Sequence, residues 1–444
     1  MILVLSIKFA VSIPMSFVLG SSNDFEHGKR PAILLAATLW WHLSTRLAIR
    51  FLEYGCHVSA VCPKGHLLRH VRGLDAIFPY RRLNSLTALE VAIRQTIPDL
   101  IIPCDDRVVW QLHELHRLKP DLRSLIEASL GAAAGFERVE RRDMLLGTAE
   151  TLGIRIPRTK LVTSEEEIHD WFAEGACSAV LKVDGTWGGE GVSIAHSEQE
   201  ARDAFQRFSR PSNFATALKR LLVNRDPLSL SSSGKQAQPA IILQQLIEGW
   251  PANSMVACWK GEVLSMVSVE VLASQGATGA AFLVMMIESD DMTKAGHLLA
   301  EKLQLNGFFG LDFQVDRLTG RPHLIEMNPR CTQLGHLPLP GGTDLAGALC
   351  AKLSGKACMT NEPSVEGRAI AFFPQAGQWN SKSPLPSEVY NDIPQGQPEL
   401  VRELVRPSWP ERQWISRIYH LFRPPSAVEP VSFRSESGER APIS

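Results

Sequence analysis

Between Pro31 and Pro103, short apolar runs alternate with stretches of helical periodicity. Pro31 to Ala37 is a continuous apolar run of strand length. Leu43 to Glu53 repeats its apolar residues at helical spacing, and Gly55 follows as a C-terminal cap. Val58 to Cys62 reads as a second strand, Thr87 to Thr96 as a helix, and Asp99 to Pro103 as a third strand. Strands that alternate with helices and are apolar throughout predict a parallel, doubly wound sheet. Such sheets bind ligands beyond the C-terminal ends of their strands. Asp105 and Asp106 stand just past one such end. Capping the next helix and contacting a substrate are both open to them.

From about residue 140 the pattern changes. A helix over Arg141 to Leu152 stops at Gly153, and a second runs from Glu165 to Phe172. Ala179 to Val183 is a strand, followed by the glycine-rich run Asp184 to Val192 and a helix from about Glu198. Asp226 to Pro239, rich in Ser, Gly, Gln and Pro, reads as a mobile surface loop. Ile241 to Ile247 is a buried strand. Phe309 to Asp316 and Pro322 to Asn328 flank a Gly-containing loop and predict a β-hairpin. Ala369 to Phe373 is a short late strand, and the tail after Arg423 reads as disordered. No internal repeat is present.

With 444 residues, the chain is long enough for several domains and a sizeable core. A formal net charge of −1 removes any general electrostatic case for nucleic acid or an anionic membrane surface. The eight Cys form no C-x-x-C pair or regular framework, which fits reduced thiols in a cytoplasmic protein better than disulfides or zinc ligands. Met1 to Leu19 is apolar apart from Lys8 and a few Ser. It is too short and interrupted for a membrane span. A signal segment, a plain extension and a misplaced start all remain open for it.

The hairpin carries the first chemistry. If Asp316 faces Pro322, then Asp312 faces Glu326 across the ladder. Like charges directly opposite each other are destabilising unless something sits between them. Asn328, two residues beyond Glu326, points to the same face, and Arg330 follows Pro329 at the rim. Carboxylate and amide oxygens suit Mg²⁺, with Mn²⁺ as a substitute. The plainer alternative is a surface hairpin with scattered polar residues, and a one-residue slip would separate the pair. The glycine-rich run matches neither the Walker loop nor the dinucleotide fingerprint. Its glycines let backbone N–H groups approach an anion, and Lys182 just before it can neutralise phosphate as a point charge. A tight hairpin turn with a solvent-facing Lys is the alternative there.

Three segments in order resemble the ATP-grasp superfamily. They are Lys182 with its glycine-rich loop, the strand ending Gln244-Gln245-Leu246-Ile247-Glu248-Gly249, and the acidic hairpin. The resemblance runs from about Arg141 to Leu349. It is strongest to the carbamoyl-phosphate-synthase-like and carboxylate–amine ligase branch. It implies an α/β plus α+β chain, in which a Rossmann-like pre-ATP-grasp domain precedes a two-lobed ATP-grasp fold. The expected divisions are 1–30 as extension or linker, 31–139 as the pre-grasp domain and 140–358 as the ATP-grasp domain. Residues 359–422 would form an accessory region and 423–444 a disordered tail.

The resemblance also implies roles. Lys182 would contact the α- and β-phosphates of ATP, and Gly188, Gly189 and Gly191 would cover them. Gln244 to Ile247 would lie along the adenine, with backbone groups of Gln245 and Leu246 pairing with its edge. Glu248 would approach the ribose. Asp312, Glu326 and Asn328 would hold one or two Mg²⁺, and Arg330 would steady the γ-phosphate or an acyl-phosphate. Two departures stand out. Arg142 occupies the place of the family's usual first Lys, and Gln245 stands where Glu often follows the hinge Gln. Arg can grip phosphate bidentately but is bulkier than Lys.

The implied activity is ADP-forming ligation, in which a small-molecule carboxylate is activated as an acyl-phosphate and joined to an amine. Bicarbonate activation, as in a carboxylase, is the alternative within enzymes. A nucleotide-binding regulatory protein without turnover is the alternative outside them. A homodimer is the default assembly. Among other residues, His336 reads as a satisfied loop histidine and Cys331 as a small packing residue. Trp40 and Trp41 could cap a pocket or pack between domains.

Overall fold

The computed structural model describes residues 30–183, 191–209, 240–276, 279–342, 344–360, 362–378, 388–414 and 430–432. The expectations for residues 1–19, for Gly188 and Gly189, and for the loop at 226–239 fall outside these residues.

The first sheet is parallel. It contains β1 (Ala32–Ala36), β2 (His57–Cys62), β3 (Ala76–Pro79) and β4 (Leu100–Pro103), in the order β3-β2-β1-β4. The connecting helices are α1 (Ser44–Glu53), α2 (Ser85–Thr96) and α3 (Asp106–Leu118). β1 is apolar throughout because both of its faces are covered. Ile33 and Leu35 enter one core, and Leu34 and Ala36 enter the core on the other face. Gly55 ends α1 with φ of 74°, a left-handed conformation that a side chain would strain. β3 was not foreseen. Its four residues are too few to show a period.

Three short helices lead onward: α4 (Arg123–Leu130), α5 (Phe136–Glu140) and α6 (Arg142–Thr151). The second sheet is antiparallel, with β5 (Thr159–Val162), β6 (Ala179–Val183), β7 (Val192–Ala195) and β8 (Ile241–Gln244) in the order β5-β8-β6-β7. α7 (Glu165–Ala173) and α8 (Glu198–Ser209) pack on it around Ile168, Trp171, Leu181 and Phe205. Ser164 caps α7 by accepting from the Glu167 amide. β8 stops at Gln244, short of the expected Ile247, where the chain leaves this sheet for the next.

The third sheet has eight strands. β9 (Gly249–Trp259), β10 (Glu262–Gln275) and β11 (Ala281–Met286) form a meander. β12 (Gly307–Asp316) and β13 (Pro322–Asn328) join on the β9 side. β14 (Ala369–Phe372) and β15 (Val389–Asp392) continue the sheet beyond β11, and β16 (Pro430–Ser432) pairs with β10. Its helices are α9 (Asp290–Leu303), α10 (Leu345–Ser354) and α11 (Pro398–Leu404). The meander was also missed by the pattern reading. Val267 to Ala273 is buried without a break, so this part of β10 shows no alternation.

Two expected divisions differ from the sheet that forms. Of the strands in 359–422, β14 hydrogen-bonds directly to β11 and β15 to β14, so no break in the sheet occurs near 358. Within the supposed disordered tail, Pro430 to Ser432 is ordered as β16, because the β10 edge at Ala273 to Gln275 offers backbone partners. The first and third sheets share one core, in which Phe51 of α1 meets Phe308 of β12 with ring centroids 6.4 Å apart. Among the described residues, no helix is long and apolar enough to cross a membrane.

Candidate functional site

The site forms where the three sheets meet, around one row of side chains across β9, β12 and β13. Asn253, Asp312 and Glu326 are direct cross-strand neighbours in that row. The register at the hairpin end is one residue from the expected one, since Val315, not Asp316, pairs with Pro322. A bulge between Asp312 and Phe313 then takes up one residue of β13 at Ile325 and restores the Asp312–Glu326 pairing. Asp316 is instead engaged in the turn, accepting from the Leu318 and Thr319 amides at 2.9 and 2.7 Å.

Both oxygens of Asp312 are held by amides. Asn253 Nδ2 donates to Oδ1 at 2.6 Å, and Asn328 Nδ2 donates to Oδ2 at 2.9 Å. Burial and the facing Glu326 push the Asp312 carboxyl up to about 6, against those hydrogen bonds and Arg330. Burial also opposes ionisation of Glu326, but Arg142, Lys182 and Arg330 outweigh it and hold that carboxyl below its ordinary value. The two carboxylates of the pair are therefore unequal.

Three cations surround the row. Arg142, at the start of α6, donates from Nη2 to Glu326 Oε1 at 2.6 Å. Lys182 on β6 reaches across from the second sheet, and its Nζ donates to the Ile325 carbonyl at 3.3 Å. That carbonyl belongs to the bulged segment. Burial lowers the Lys182 ammonium to about 8, with Arg142 adding to the effect and Glu326 opposing it. Arg330 pairs with Asp106 through Nε at 3.0 Å and donates from Nη2 to Asn328 Oδ1 at 3.1 Å. Burial alone would lower its affinity for the proton, but Asp106, Asp105 and Asp312 more than compensate.

The first sheet enters through the turn after β4. Asp105 caps α3 by accepting from the Val108 amide at 3.2 Å. It also accepts from the Thr38 amide at 2.6 Å and the Leu39 amide at 3.2 Å, tying the ends of β1 and β4 together. Asp106 is then free of the capping task and turns to Arg330. Pattern reading weighed both residues without separating the roles. It missed Asn253, whose only signal was an amide inside a long, buried strand.

The hinge residues divide. The Gln244 side chain is buried and donates to Thr159 Oγ1 at 3.2 Å, fastening β8 to β5. The Gln245 amide donates to the Arg158 carbonyl at 2.8 Å and is already engaged there. The side chains of Gln245 and Glu248 are exposed, and the Glu248 carbonyl accepts from the Arg317 amide at 2.8 Å. Gly191 closes the glycine-rich segment, its carbonyl accepting from the Val183 amide at 2.9 Å. Residues 184–190 lie outside the described residues.

A divalent cation suits this donor set. Two carboxylates face each other with an amide beside them, all hard oxygen donors. Among the described residues, no cluster of three or more His, Cys, Asp or Glu forms, and Asn328 is the amide beside the two carboxylates. The other singled-out residues lie elsewhere. His336 Nε2 is 2.9 Å from Asp392 Oδ1 and is buried. Burial pushes the Cys331 thiol up to about 12, as expected for a packing residue. Trp40 stacks on Trp409 at 5.8 Å and carries Arg82 on its ring at 4.5 Å, so it packs against the C-terminal region.

No family model matches the chain. It is 24% identical over 255 residues to the carbamoyl phosphate synthase large chain of Thermus thermophilus, covering 56% of this chain and 23% of that one. The chain therefore spans about a quarter of the length of the curated relatives it matches. Among solved structures it resembles an N5-carboxyaminoimidazole ribonucleotide synthetase in complex with ADP, with a TM-score of 0.54 and 15% identity. That match covers 76% of this chain and 81% of the other. It also resembles the biotin carboxylase domain of Hydrogenobacter thermophilus 2-oxoglutarate carboxylase in complex with MgADP, ADP and bicarbonate. The TM-score there is 0.55 at 14% identity, over 76% of this chain and 72% of that one. A parallel sheet leading into two lobes, with the acidic row between them, gives this chain the two-lobed ATP-grasp fold of the solved structures it resembles.

Proposed function

We propose that this protein uses Mg·ATP to convert a carboxylate into an acyl-phosphate, with release of ADP. The observation that carries the reading is the Asp312–Glu326 pair ringed by Lys182, Arg142 and Arg330. Two acids and three cations from the second sheet, the third sheet and α6 meet there, and Asp106 beyond the first sheet pairs with Arg330. A structural hairpin has no need of that convergence.

Asp312, Glu326 and Asn328 would hold the cation, which when bound neutralises charge on the β- and γ-phosphates. Arg142 pairs with Glu326 and Lys182 lies beside it, and both would turn to the phosphates once the cation takes up that carboxylate. Arg330, held by Asp106 and Asn328, supplies positive charge where the phosphoryl group passes to the substrate. A carboxylate oxygen attacks the γ-phosphorus, the bond to the β–γ bridging oxygen breaks, and ADP leaves. The product is an acyl-phosphate, which must be kept from water. An amine then attacks the acyl carbon and inorganic phosphate departs, so no protein nucleophile is required. Gln245, Leu246 and Glu248 would line the nucleoside.

Bicarbonate is the second reading for the activated carboxylate. It is favoured by the likeness to a domain crystallised with bicarbonate and to carbamoyl phosphate synthase large chains. Phosphate release from Mg·ATP, measured with bicarbonate and with a panel of carboxylates with and without amines, separates the two. Stimulation by one organic carboxylate, with product only when an amine is added, supports ligation. Stimulation by bicarbonate alone supports the carboxylase-like reading. Binding of ATP with no stimulated release by any of them would overturn both and leave a nucleotide sensor.

A further inference from the structure

Away from the site, three thiols collect where α1 meets α10. Cys56 lies just past Gly55 at the end of α1, and Cys350 lies within α10. Both are buried, at 2% and 0% exposure, and their sulfurs are 2.9 Å apart. Non-bonded carbon atoms rest at roughly 3.5–4.0 Å, and sulfur is larger. A disulfide bond is about 2.05 Å. The fold thus holds these sulfurs well inside ordinary contact distance. The third thiol, Cys358, is half-buried, and its side chain also meets Cys350. Its backbone carbonyl lies against Gly347, one helical turn before Cys350.

The surrounding contacts keep the two helices in place. Asp344 caps α10 by accepting from the Gly347 amide at 2.6 Å. It also accepts from Tyr54 Oη at 2.7 Å and pairs with Arg50 Nε at 3.1 Å, both from α1. The sulfurs are therefore positioned by a fixed frame and not by two loose side chains.

We propose that Cys56 and Cys350 form an oxidative modification site, closing to a disulfide by exchange with a small-molecule disulfide that enters through Cys358. The Cys358 sulfur attacks the reagent, displacing one thiol and leaving a mixed disulfide. Cys350 then attacks the Cys358 sulfur and displaces the second small thiol. Cys56 attacks Cys350 and returns Cys358 to a thiol. In sum, two protein thiols are oxidised, one small disulfide is reduced to two thiols, and the two protons go with those thiols. The link would join residues 294 apart in sequence and fasten the first sheet's α1 to the third sheet's α10. This is independent of the reading of the ATP site.

Burial pushes the Cys358 thiol up to about 11. Exchange should then quicken roughly tenfold per pH unit between neutral pH and that value, as the thiolate fraction grows.

The test uses the full-length protein, reduced and then incubated with oxidised glutathione. After denaturation, free thiols are alkylated and the peptides mapped without reduction. The exposed Cys177 reports that the reagent was active by becoming a mixed disulfide. The expected result is one internal bridge between the Cys56 and Cys350 peptides, together with a higher thermal midpoint than the reduced protein. Cys358→Ser should slow the bridge severalfold without changing its position. Cys56→Ser should move it to Cys350 and Cys358. Free alkylation of Cys56 and Cys350 in the parent while Cys177 has reacted would overturn the proposal. So would a bridge mapped to any other pair. The parent map needs no variant to fold.

Discussion

Asp312 and Glu326 face each other across β12 and β13 because the bulge at Ile325 corrects a register that is one residue off at the turn. The bulge has a second effect, since the carbonyl of Ile325 receives the Lys182 ammonium from the second sheet. One irregularity in a ladder thus sets the acidic pair and the cation that answers it.

Replacing Glu326 by Ala should reduce ATP-dependent phosphate release by about 10²-fold or more, the scale seen when a preorganised transition-state contact is lost. Nucleotide binding should weaken much less, because Lys182, Arg142 and the hinge backbone remain. Release assays paired with calorimetric titration of ATP check this. Activity equal to the parent's would remove Glu326 from the site.

Burial lowers the Lys182 ammonium from 10.5 to about 8. Its affinity contribution for phosphate needs the ammonium, so ATP binding should weaken as pH rises from about 7 to 9. Lys182→Met should bind more weakly at pH 7 and lose most of that dependence. The same shift affects stability. The unfolded chain holds this proton up to the ordinary 10.5, so ligand-free protein should gain stability between about 8 and 10.5 from this group. Titrations of ATP affinity across pH, parent against variant, test the first claim, and chemical denaturation tests the second.

Asp312 shows the opposite sign. Its folded-state pKa is raised from 3.8 to about 6, so folding takes up a proton in that window. Stability from this group is full below about 4 and is lost as pH rises through 6. Asp312→Asn should flatten that part of the ligand-free stability profile. An unchanged slope in the variant would mean that another group dominates.

Asp106→Ala should remove the ion pair that holds the Arg330 guanidinium beside its hydrogen bond to Asn328 Oδ1. Loss of a fully buried partner costs about 3–5 kcal/mol, and the exposure of Asp106 at 29% reduces the expectation to about 1–2 kcal/mol. Turnover should fall more than this stability loss implies, because Arg330 loses its aim. Urea denaturation and phosphate release on the same samples separate the two effects. A pure stability loss with normal turnover at low temperature would deny Asp106 a positioning role.

The parts of this fold most visible in the sequence were those with a sharp local signal. β1, β2, α1 and β4 announced themselves by apolar runs, helical spacing and Gly55. The acidic hairpin stood out because Glu326 and Asn328 keep one face of β13 and Asp312 faces them from β12. β9, β10 and β11 did not, since strands buried on both sides carry no alternation. Site contacts that depend on tertiary geometry were hidden too. Asn253 meets Asp312 only because β9 lies beside β12, and Arg330 finds Asp106 across 224 residues of chain. The ion pair between Arg142 and Glu326 was hidden as well, a guanidinium meeting a carboxylate 184 residues on.

The continuation of the third sheet through β14 and β15 bears on what counts as the working unit. A chain cut at 358 would keep Lys182, Asp312, Glu326, Asn328 and Arg330. It would also strip β11 of its hydrogen-bonded neighbour and expose Phe282, Leu283 and the apolar surface packed under β14. The segment that bears the motifs is therefore not portable. Grafting or recombining it would have to carry the later strands with it, and a shortened form that aggregates would be reporting a raw sheet edge and not a defective site.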